Sequence, residues 1–272
     1  MGERIHGRVV TPAGVIAHGY LETAGDRIAA VGPAGTGAPR RPPTGWLVPG
    51  FVDLHCHGGG GHSFVDGDPA AARAAAAYHR GHGTTTLLAS LVTAPVAALA
   101  AATRALGPLV DAGVLAGLHY EGPYLARARR GAHDPAHLRD PAEAELRSLL
   151  ALVPGAVRMV TLAPELPGAA AAIELLAGAG VVPAIGHTAA SYAQTRAAVA
   201  AGARVATHLF NGMPPVHHRQ PGPVAALLTA PEVVCELIAD GVHLDDGALA
   251  LAVAAAGPDR TALVTDAIAA AG

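Results

Sequence analysis

The chain has 272 residues, of which 51% are apolar and 3% are aromatic, and its formal net charge is −3. This length can bury the core of one barrel-sized domain with a small appendage. The small charge gives no reason to expect nucleic acid or an anionic membrane surface as a partner. No run reaches the about 20 apolar residues of a membrane-spanning helix. Two cysteines are too few for a disulfide scaffold, so we expect a reducing, cytoplasmic setting.

Residues 1–46 differ from the rest of the chain. The runs 7–16 and 26–32 are short and β-type, and glycine and proline separate them, which predicts strands of a small sheet. A linker rich in proline and glycine, 35–45, follows these runs. We therefore predict a small, partial β domain over 1–46, which forms a β-sandwich portion.

From residue 47 to 272, short strand-like runs alternate with alanine-rich helical stretches. The predicted strands are 47–54, 84–90, 114–120, 157–163, 181–185, 205–209, 233–239 and 262–265. The predicted helices include 69–80, 95–106, 142–152, 189–201 and 245–256. This alternation favours the α/β class and a (β/α)8 TIM-type barrel with a catalytic role. Because the sequence stops directly after the eighth predicted strand, we expect a C-terminal part to be missing.

Side chains that can bind metal ions recur where the predicted strands end. In chain order they are His55 and His57, Glu121, His187, His208, His243 and Asp266. The two histidines of the first strand are two residues apart, so their imidazoles share one face of that strand. The catalytic groups of such barrels lie at the carboxyl ends of several strands. Imidazoles and carboxylates bind Zn²⁺, Fe²⁺ or a related ion, which lowers the pKa of a bound water to about 7.

Several runs resemble one enzyme family. The run 49–58, PGFVDLHCHG, is similar to the opening strand of the amidohydrolase superfamily. The runs 121–124 (EGPY), 131–133 (GAH) and 207–213 (THLFNGM) resemble its N-acetylglucosamine-6-phosphate deacetylase branch, and 161–165 (TLAPE) and 218–222 (HRQPG) fit that branch too. The resemblance covers essentially the whole chain and implies the barrel fold.

The absence of lysine agrees with this branch. All eighteen basic residues are arginine. Dihydroorotase- and hydantoinase-like relatives bridge two metals with a carboxylated lysine, and that chemistry is excluded for a chain without lysine. Glu121 stands where the resembled family has its bridging carboxylate.

The resemblance implies a role for each candidate residue. One or two divalent ions per subunit, of zinc, iron or a similar metal, would be held by Glu121, His187, His208, His55 and His57. Asp266 would act as general base and then as general acid. Substrate contacts would come from His133, Asn211, Gly212, Arg219 and His243. Arg219 would pair with a phosphate, which suits a guanidinium, and in the family it reaches across a dimer interface, which implies a homodimer.

The activity that the resemblance implies is metal-dependent hydrolysis of the acetamide of N-acetylglucosamine 6-phosphate to glucosamine 6-phosphate and acetate. A metal-activated hydroxide would attack the carbonyl, and Asp266 would protonate the departing amine. One alternative is an amidohydrolase that acts on another N-acetyl sugar phosphate or on an N-acyl amino acid. The other is an inactive, truncated metal-binding barrel. At the level of single residues, the alternative for Asp266 is a helix cap, and for Arg219 it is a solvated surface charge.

Overall fold

The computed structural model describes residues 2–35 and 45–272. Two compact units make up the chain, Met1–Phe51 and Val52–Gly272. The division between them falls a few residues after the predicted boundary at residue 46. Apart from its first and last residues, the predicted linker 35–45 lies outside the described residues. In the described ranges, no helix is both long and apolar enough to cross a membrane.

The first unit is a four-stranded sheet with the strand order β3-β2-β1-β4. Its strands are β1 (Arg4–Thr11), β2 (Gly14–Ala24), β3 (Arg27–Pro33) and β4 (Trp46–Leu47). β1 to β3 are antiparallel neighbours, and β4 pairs in parallel with β1. The β1–β2 and β2–β3 connections have two residues each, and Gly25, with a φ of 62°, allows the second reversal. The described residues of this unit form one sheet, which is the small β portion expected ahead of the barrel.

The second unit is built on ten strands and seven helices among the described residues. Its strands are β5 (Phe51–Cys56), β6 (Gly58–Gly59), β7 (His62–Ser63), β8 (Thr84–Val92), β9 (Gly117–Glu121), β10 (Val157–Leu162), β11 (Val182–Ile185), β12 (Val205–Ala206), β13 (Val234–Leu237) and β14 (Thr261–Leu263). Its helices are α1 (Pro69–Gly81), α2 (Val96–Asp111), α3 (Glu143–Leu150), α4 (Ala169–Gly178), α5 (Tyr192–Ala201), α6 (Gly222–Leu228) and α7 (Asp246–Ala256).

Eight of these strands form one sheet, in the order β14-β13-β12-β11-β10-β9-β8-β5. Neighbours from β8 to β14 are parallel, and spatial order follows chain order. Backbone hydrogen bonds then join the two ends of the sheet. The N–H of Asp266 donates to the carbonyl of His55 (2.9 Å), and the N–H of His57 donates to the carbonyl of Ala267 (2.8 Å). The predicted α/β barrel is confirmed.

Local signals set where the helices begin. Asp68 caps α1 by accepting the N–H of Ala70, and proline occupies the first helical position, where its missing N–H does no harm. Ser191 and Gln194 form a capping box at the start of α5. For this reason α5 begins at Tyr192, later than the predicted start at residue 189.

Two barrel strands depart from the predicted elements. The predicted first strand, 47–54, is divided between β4 of the small sheet and β5, which begins at Phe51. The sixth strand ends early. Residues 205–209 are expected to be a strand, but β12 ends at Ala206. The chain leaves the sheet at His208, where φ is 27°, and Phe210 also has a positive φ, 79°. Neither value is compatible with a continuing strand.

Candidate metal centre

A buried carboxylate, Glu121, lies at the centre of the polar cluster at the carboxyl ends of the strands. One of its oxygens, Oε1, is 3.0 Å from Nε2 of His187 and 2.9 Å from Nε2 of His208. The two imidazole nitrogens are 3.1 Å from each other. Three ligand atoms from β9 and from the loops after β11 and β12 therefore converge on one point.

The first-strand pair faces the other side of the same carboxylate. Nε2 of His57 lies 3.2 Å from Oε2 of Glu121 and 3.2 Å from Oδ1 of Asp266. Nε2 of His55 lies 3.0 Å from Nε2 of His57 and 3.4 Å from the same oxygen of Asp266. Glu121 thus stands between two histidine pairs, and Asp266 adjoins the first-strand pair.

The tautomers of these histidines fit a metal ion. Nδ1–H of His57 donates to the carbonyl of Ser90 (3.1 Å), and Nδ1–H of His187 donates to the carbonyl of Arg129 (2.8 Å). A carbonyl only accepts, so in the neutral imidazoles the Nε2 lone pairs point at the cluster. Histidines that bind metals are held in this way, by a hydrogen bond from the other ring nitrogen. Nitrogen and carboxylate ligands about 3 Å apart match the spacing around a zinc ion with bonds of about 2.0–2.2 Å.

The histidines around Glu121 compensate its negative charge, and this lowers its pKa. Burial raises the pKa of Glu121, but the charge on His55 and hydrogen bonds from His133, His187 and His208 outweigh burial and hold this pKa well below its usual range. The same group of residues therefore holds a carboxylate ionised inside the protein, where a cation is the natural partner.

Asp266 is also held ionised. Burial raises its pKa, but the hydrogen bond from His57 and the charge on His55 lower it overall below its usual value of 3.8. A carboxylate that is ionised at neutral pH is able to accept a proton.

Strained backbone is concentrated at this centre. His187 (φ 47°), His208 (27°) and Asp266 (47°) all have positive φ although none is glycine. Such conformations are uncommon, and they persist where the surrounding structure fixes them and where function uses them. Glu165 supplies part of that support, because it accepts hydrogen bonds from Thr188 Oγ1 and from the N–H of Ala189, both at 2.5 Å.

A cleft of about 840 Å³ opens above the cluster. It is lined by residues from the strand ends and their loops: His57, Ser63, Val65, Val92, Thr93, Glu121, Gly131, Ala132, His133, Asp134, His187, His208, Asn211, Asp266, Ile268, Ala269 and Ala270. The expected substrate residues His133 and Asn211 are among them. Nδ1 of His133 is 2.9 Å from Thr93 Oγ1, which leaves its Nε2 3.4 Å from Oε2 of Glu121.

The other three expected substrate residues lie elsewhere. Gly212 packs beside His187, and a Cβ there would be 2.9 Å from Nδ1 of that histidine. With its φ of 61°, this position requires glycine. Arg219 and His243 are exposed and are not among the residues that line the cleft. The N–H of His243 donates to Asp240 Oδ1 (2.8 Å), which fixes its loop.

Sequence reasoning missed two buried acids. Asp53 accepts hydrogen bonds from Thr265 Oγ1 (2.6 Å) and from the N–H of His55 (3.3 Å), and so it links the first and eighth strands. Glu236 contacts Nδ1 of His55 at 3.1 Å. A signal for Glu236 was present, because it is the only charged residue in the apolar run 233–238, and glutamate is seldom fully buried without a partner.

Comparison with known proteins identifies the family. The model of the amidohydrolase family matches residues 46–271. The chain belongs to the amidohydrolase family. An N-acetylglucosamine-6-phosphate deacetylase from Mycobacterium smegmatis, whose structure was solved in complex with N-acetylglucosamine 6-phosphate, superposes with a TM-score of 0.94 at 45% identity, covering 99% of this chain and 71% of that one.

Two curated amidohydrolase relatives carry names that differ in the sugar. An N-acetylgalactosamine-6-phosphate deacetylase of Escherichia coli O157:H7 is 37% identical over 97% of this chain and 71% of its own length. An N-acetylglucosamine-6-phosphate deacetylase of Lysinibacillus sphaericus is 35% identical over 84% of this chain and 60% of its own length. The matches thus span about 60–71% of these relatives.

The metal-free protein should lose stability as pH rises through about 8. Burial lowers the pKa of His57, but hydrogen bonds to Asp266 and Glu121 outweigh burial and raise it from 6.5 to about 8. A folded pKa above the unfolded one gives stability that is complete below about pH 6.5 and is lost as pH rises through the folded value. We expect the urea midpoint of metal-free protein to fall over this window, and to fall less in His57→Gln.

Metal-loaded protein is the control for this titration. A bound ion displaces the proton, so the decline over the same pH window should disappear. An equal decline in wild type and His57→Gln would show that this imidazole does not carry the proton.

Proposed function

We propose that this amidohydrolase hydrolyses the acetamide of N-acetylglucosamine 6-phosphate, in a metal-dependent reaction that yields glucosamine 6-phosphate and acetate. The observation that carries the proposal is the position of Glu121 between two histidine pairs, with Asp266 at 3.2 Å from His57 beneath an open cleft. The names of the relatives support the substrate. The wide cleft, about 840 Å³, accommodates a sugar phosphate.

The metal would be held by the residues that converge on Glu121. His187, His208 and Glu121 would bind the principal ion, and His55, His57 and Glu121 a second one. A divalent ion supplies a Lewis acid for the amide carbonyl and lowers the pKa of a water to about 7. Zinc and iron both suit this set of ligands, and availability decides between them.

Asp266 would move the proton. Its carboxylate is ionised at neutral pH, as its lowered pKa requires, so it accepts the proton that the attacking water loses. When the bond between carbonyl carbon and nitrogen breaks, the same proton passes to the departing amine, and acetate is the other product. Its hydrogen bond with His57 orients the carboxylate toward the cleft.

The substrate would be oriented by residues on three loops, those that follow β9, β12 and β13. His133 lies beside Glu121 and is held by Thr93, which positions its ring to contact the acetamido group or the sugar. Asn211 and Gly212 follow His208 and would line the phosphate pocket. His243 would contact a sugar hydroxyl or the phosphate. Arg219 is exposed, and we propose that it pairs with the phosphate of a substrate bound in the partner of a homodimer.

A second candidate substrate is N-acetylgalactosamine 6-phosphate, because a relative with 37% identity carries that name. The two substrates differ at a single carbon of the ring and share the acetamide and the phosphate. The site described above acts on the groups that they share. The cytoplasmic setting expected from the sequence stays a prediction, and so does the homodimer.

Acetate release is the first test. Zinc- or iron-loaded protein should release acetate from one or both N-acetylhexosamine 6-phosphates. Glu121→Gln should lower kcat/KM by more than about 100-fold, because residues that merely support a metal ligand already account for about 10–100-fold. No release from folded, metal-loaded protein with either epimer would overturn the proposal.

Asp266→Asn separates proton transfer from metal binding. General acid–base catalysis contributes about 10²–10⁴-fold, so kcat should fall by about that factor while metal content stays at the wild-type level. Metal content is measured by mass spectrometry on the same sample that is assayed. Near-normal kcat with metal retained would remove Asp266 from the mechanism.

Arg219→Ala tests the phosphate contact. Hydrogen bonds to charged groups contribute about 1.5–3 kcal/mol, so KM for the phosphorylated substrate should rise roughly 10- to 100-fold. Turnover of N-acetylglucosamine without phosphate should not change. The matched control is Arg104→Ala, which removes an exposed arginine from α2. An equal effect of both variants would argue against a specific role for Arg219.

A further inference from the structure

Glu236 is a wholly buried acid in the middle of a barrel strand. It lies in β13 between Cys235 and Leu237, and none of its surface is exposed. One oxygen, Oε2, is 3.1 Å from Nδ1 of His55 and accepts the N–H of His208 at 3.2 Å. The other oxygen, Oε1, has no hydrogen-bond partner among the described residues. An ionised carboxylate in such surroundings is unfavourable unless positive charge lies close to it.

The contact with Glu236 determines what His55 can bind. A carboxylate accepts, so Nδ1 of His55 carries the hydrogen and Nε2 of the neutral ring is left with its lone pair. That lone pair faces Nε2 of His57 at 3.0 Å and Oε1 of Glu121 at 3.6 Å. The ring of His119 meets that of His55 edge-on, with centroids 4.6 Å apart, which restricts its rotation.

His55 differs from the other tethered histidines in the kind of group that holds it. The Nδ1 atoms of His57 and His187 donate to neutral backbone carbonyls. The Nδ1 atom of His55 lies 3.1 Å from the carboxyl side chain of Glu236, and a carboxylate in this position makes Nε2 of the imidazole a stronger donor to a cation. An ionised Glu236 would also add buried negative charge on the first-strand side of the cluster.

We propose that Glu236 is a positioning residue for a second metal ion, bound on the His55–His57 side of Glu121. It holds His55 in the tautomer that leaves Nε2 free, and its charge favours a cation at that position. The ion held by His187 and His208 depends on Glu236 only through the backbone N–H of His208, which donates to the same Oε2 at 3.2 Å. The inference rests on the proposed function only for the presence of a metal, and it can be measured without any substrate.

The test is metal stoichiometry and affinity. Wild type, Glu236→Gln and Glu236→Leu are loaded with Zn²⁺, desalted and analysed by elemental mass spectrometry, and each equivalent is then titrated against a chromophoric chelator. His55→Asn marks the loss of the first-strand position. Glu145→Gln is the matched control, because Glu145 is a partly buried acid that accepts the hydroxyl of Tyr124 and contacts none of these histidines.

We expect two equivalents per chain in wild type and in the Glu145 control. Glu236→Gln keeps an acceptor oxygen without the charge, and it should weaken the second equivalent by about 10–100-fold with the first unchanged. Glu236→Leu removes both the acceptor oxygen and the charge, and this variant should retain one equivalent of metal, as His55→Asn should. If the leucine variant does not fold, the glutamine variant decides alone. The absorption spectrum of Co²⁺-loaded protein should lose the contribution of the second ion in parallel.

Three results would overturn the inference: one equivalent in wild type, two equivalents at wild-type affinity in both Glu236 variants, or equal weakening of both equivalents in Glu236→Gln. Acetate release is recorded separately. Two ions that depend on Glu236 without any acetate release would leave this inference standing and remove the proposed substrate. Acetate release by a wild-type protein that binds a single ion would support the proposed substrate and overturn this inference.

Discussion

The burial of Glu121 is the constraint on which the rest of the site depends. Its side chain is 5% exposed, and a carboxylate removed from water is unfavourable unless cations or hydrogen-bond donors surround it. Five imidazoles have Nε2 within 3.6 Å of it, those of His55, His57, His133, His187 and His208. Without an ion, the imidazoles satisfy Glu121 by binding protons. With an ion, the metal replaces those protons, so the affinity for metal depends on pH.

The barrel makes this arrangement possible because it brings the ends of parallel strands together. Convergence alone is not sufficient, since the side chains must also turn inward where the strands finish. Positive φ values at His187, His208 and Asp266 do this, and each is expected to store about 1–3 kcal/mol of strain. Hydrogen bonds from the loops to Glu165 and Glu236 hold the strained segments. The geometry of the site therefore lowers the free energy of unfolding of the protein.

The alternation of strands and helices was sufficient to predict the barrel, and period-two spacing was sufficient to predict that His55 and His57 share a face. Both signals are local. Contacts between Glu236 and His55, 181 residues apart, or between Asp53 and Thr265, 212 residues apart, depend on which side chains the closed barrel makes neighbours. Hydrophobic periodicity carries no such information. The early end of β12 was missed for the same reason, because the turn at His208 is imposed by the cluster.

Counting charges connects Glu236 with the number of ions. Glu121, Asp266 and Glu236 carry three negative charges when ionised, and each touches at least one of the cluster histidines. With neutral imidazoles, one divalent ion leaves the cluster at −1, whereas two ions leave it at +1. A net positive cluster suits a reaction in which negative charge develops on the amide oxygen, because buried electrostatic interactions of this kind are strong. Replacing Glu236 by a neutral residue would raise the two-ion cluster to +2, which the interior disfavours, so the loss of the second ion follows from electrostatics as well as from the tautomer of His55.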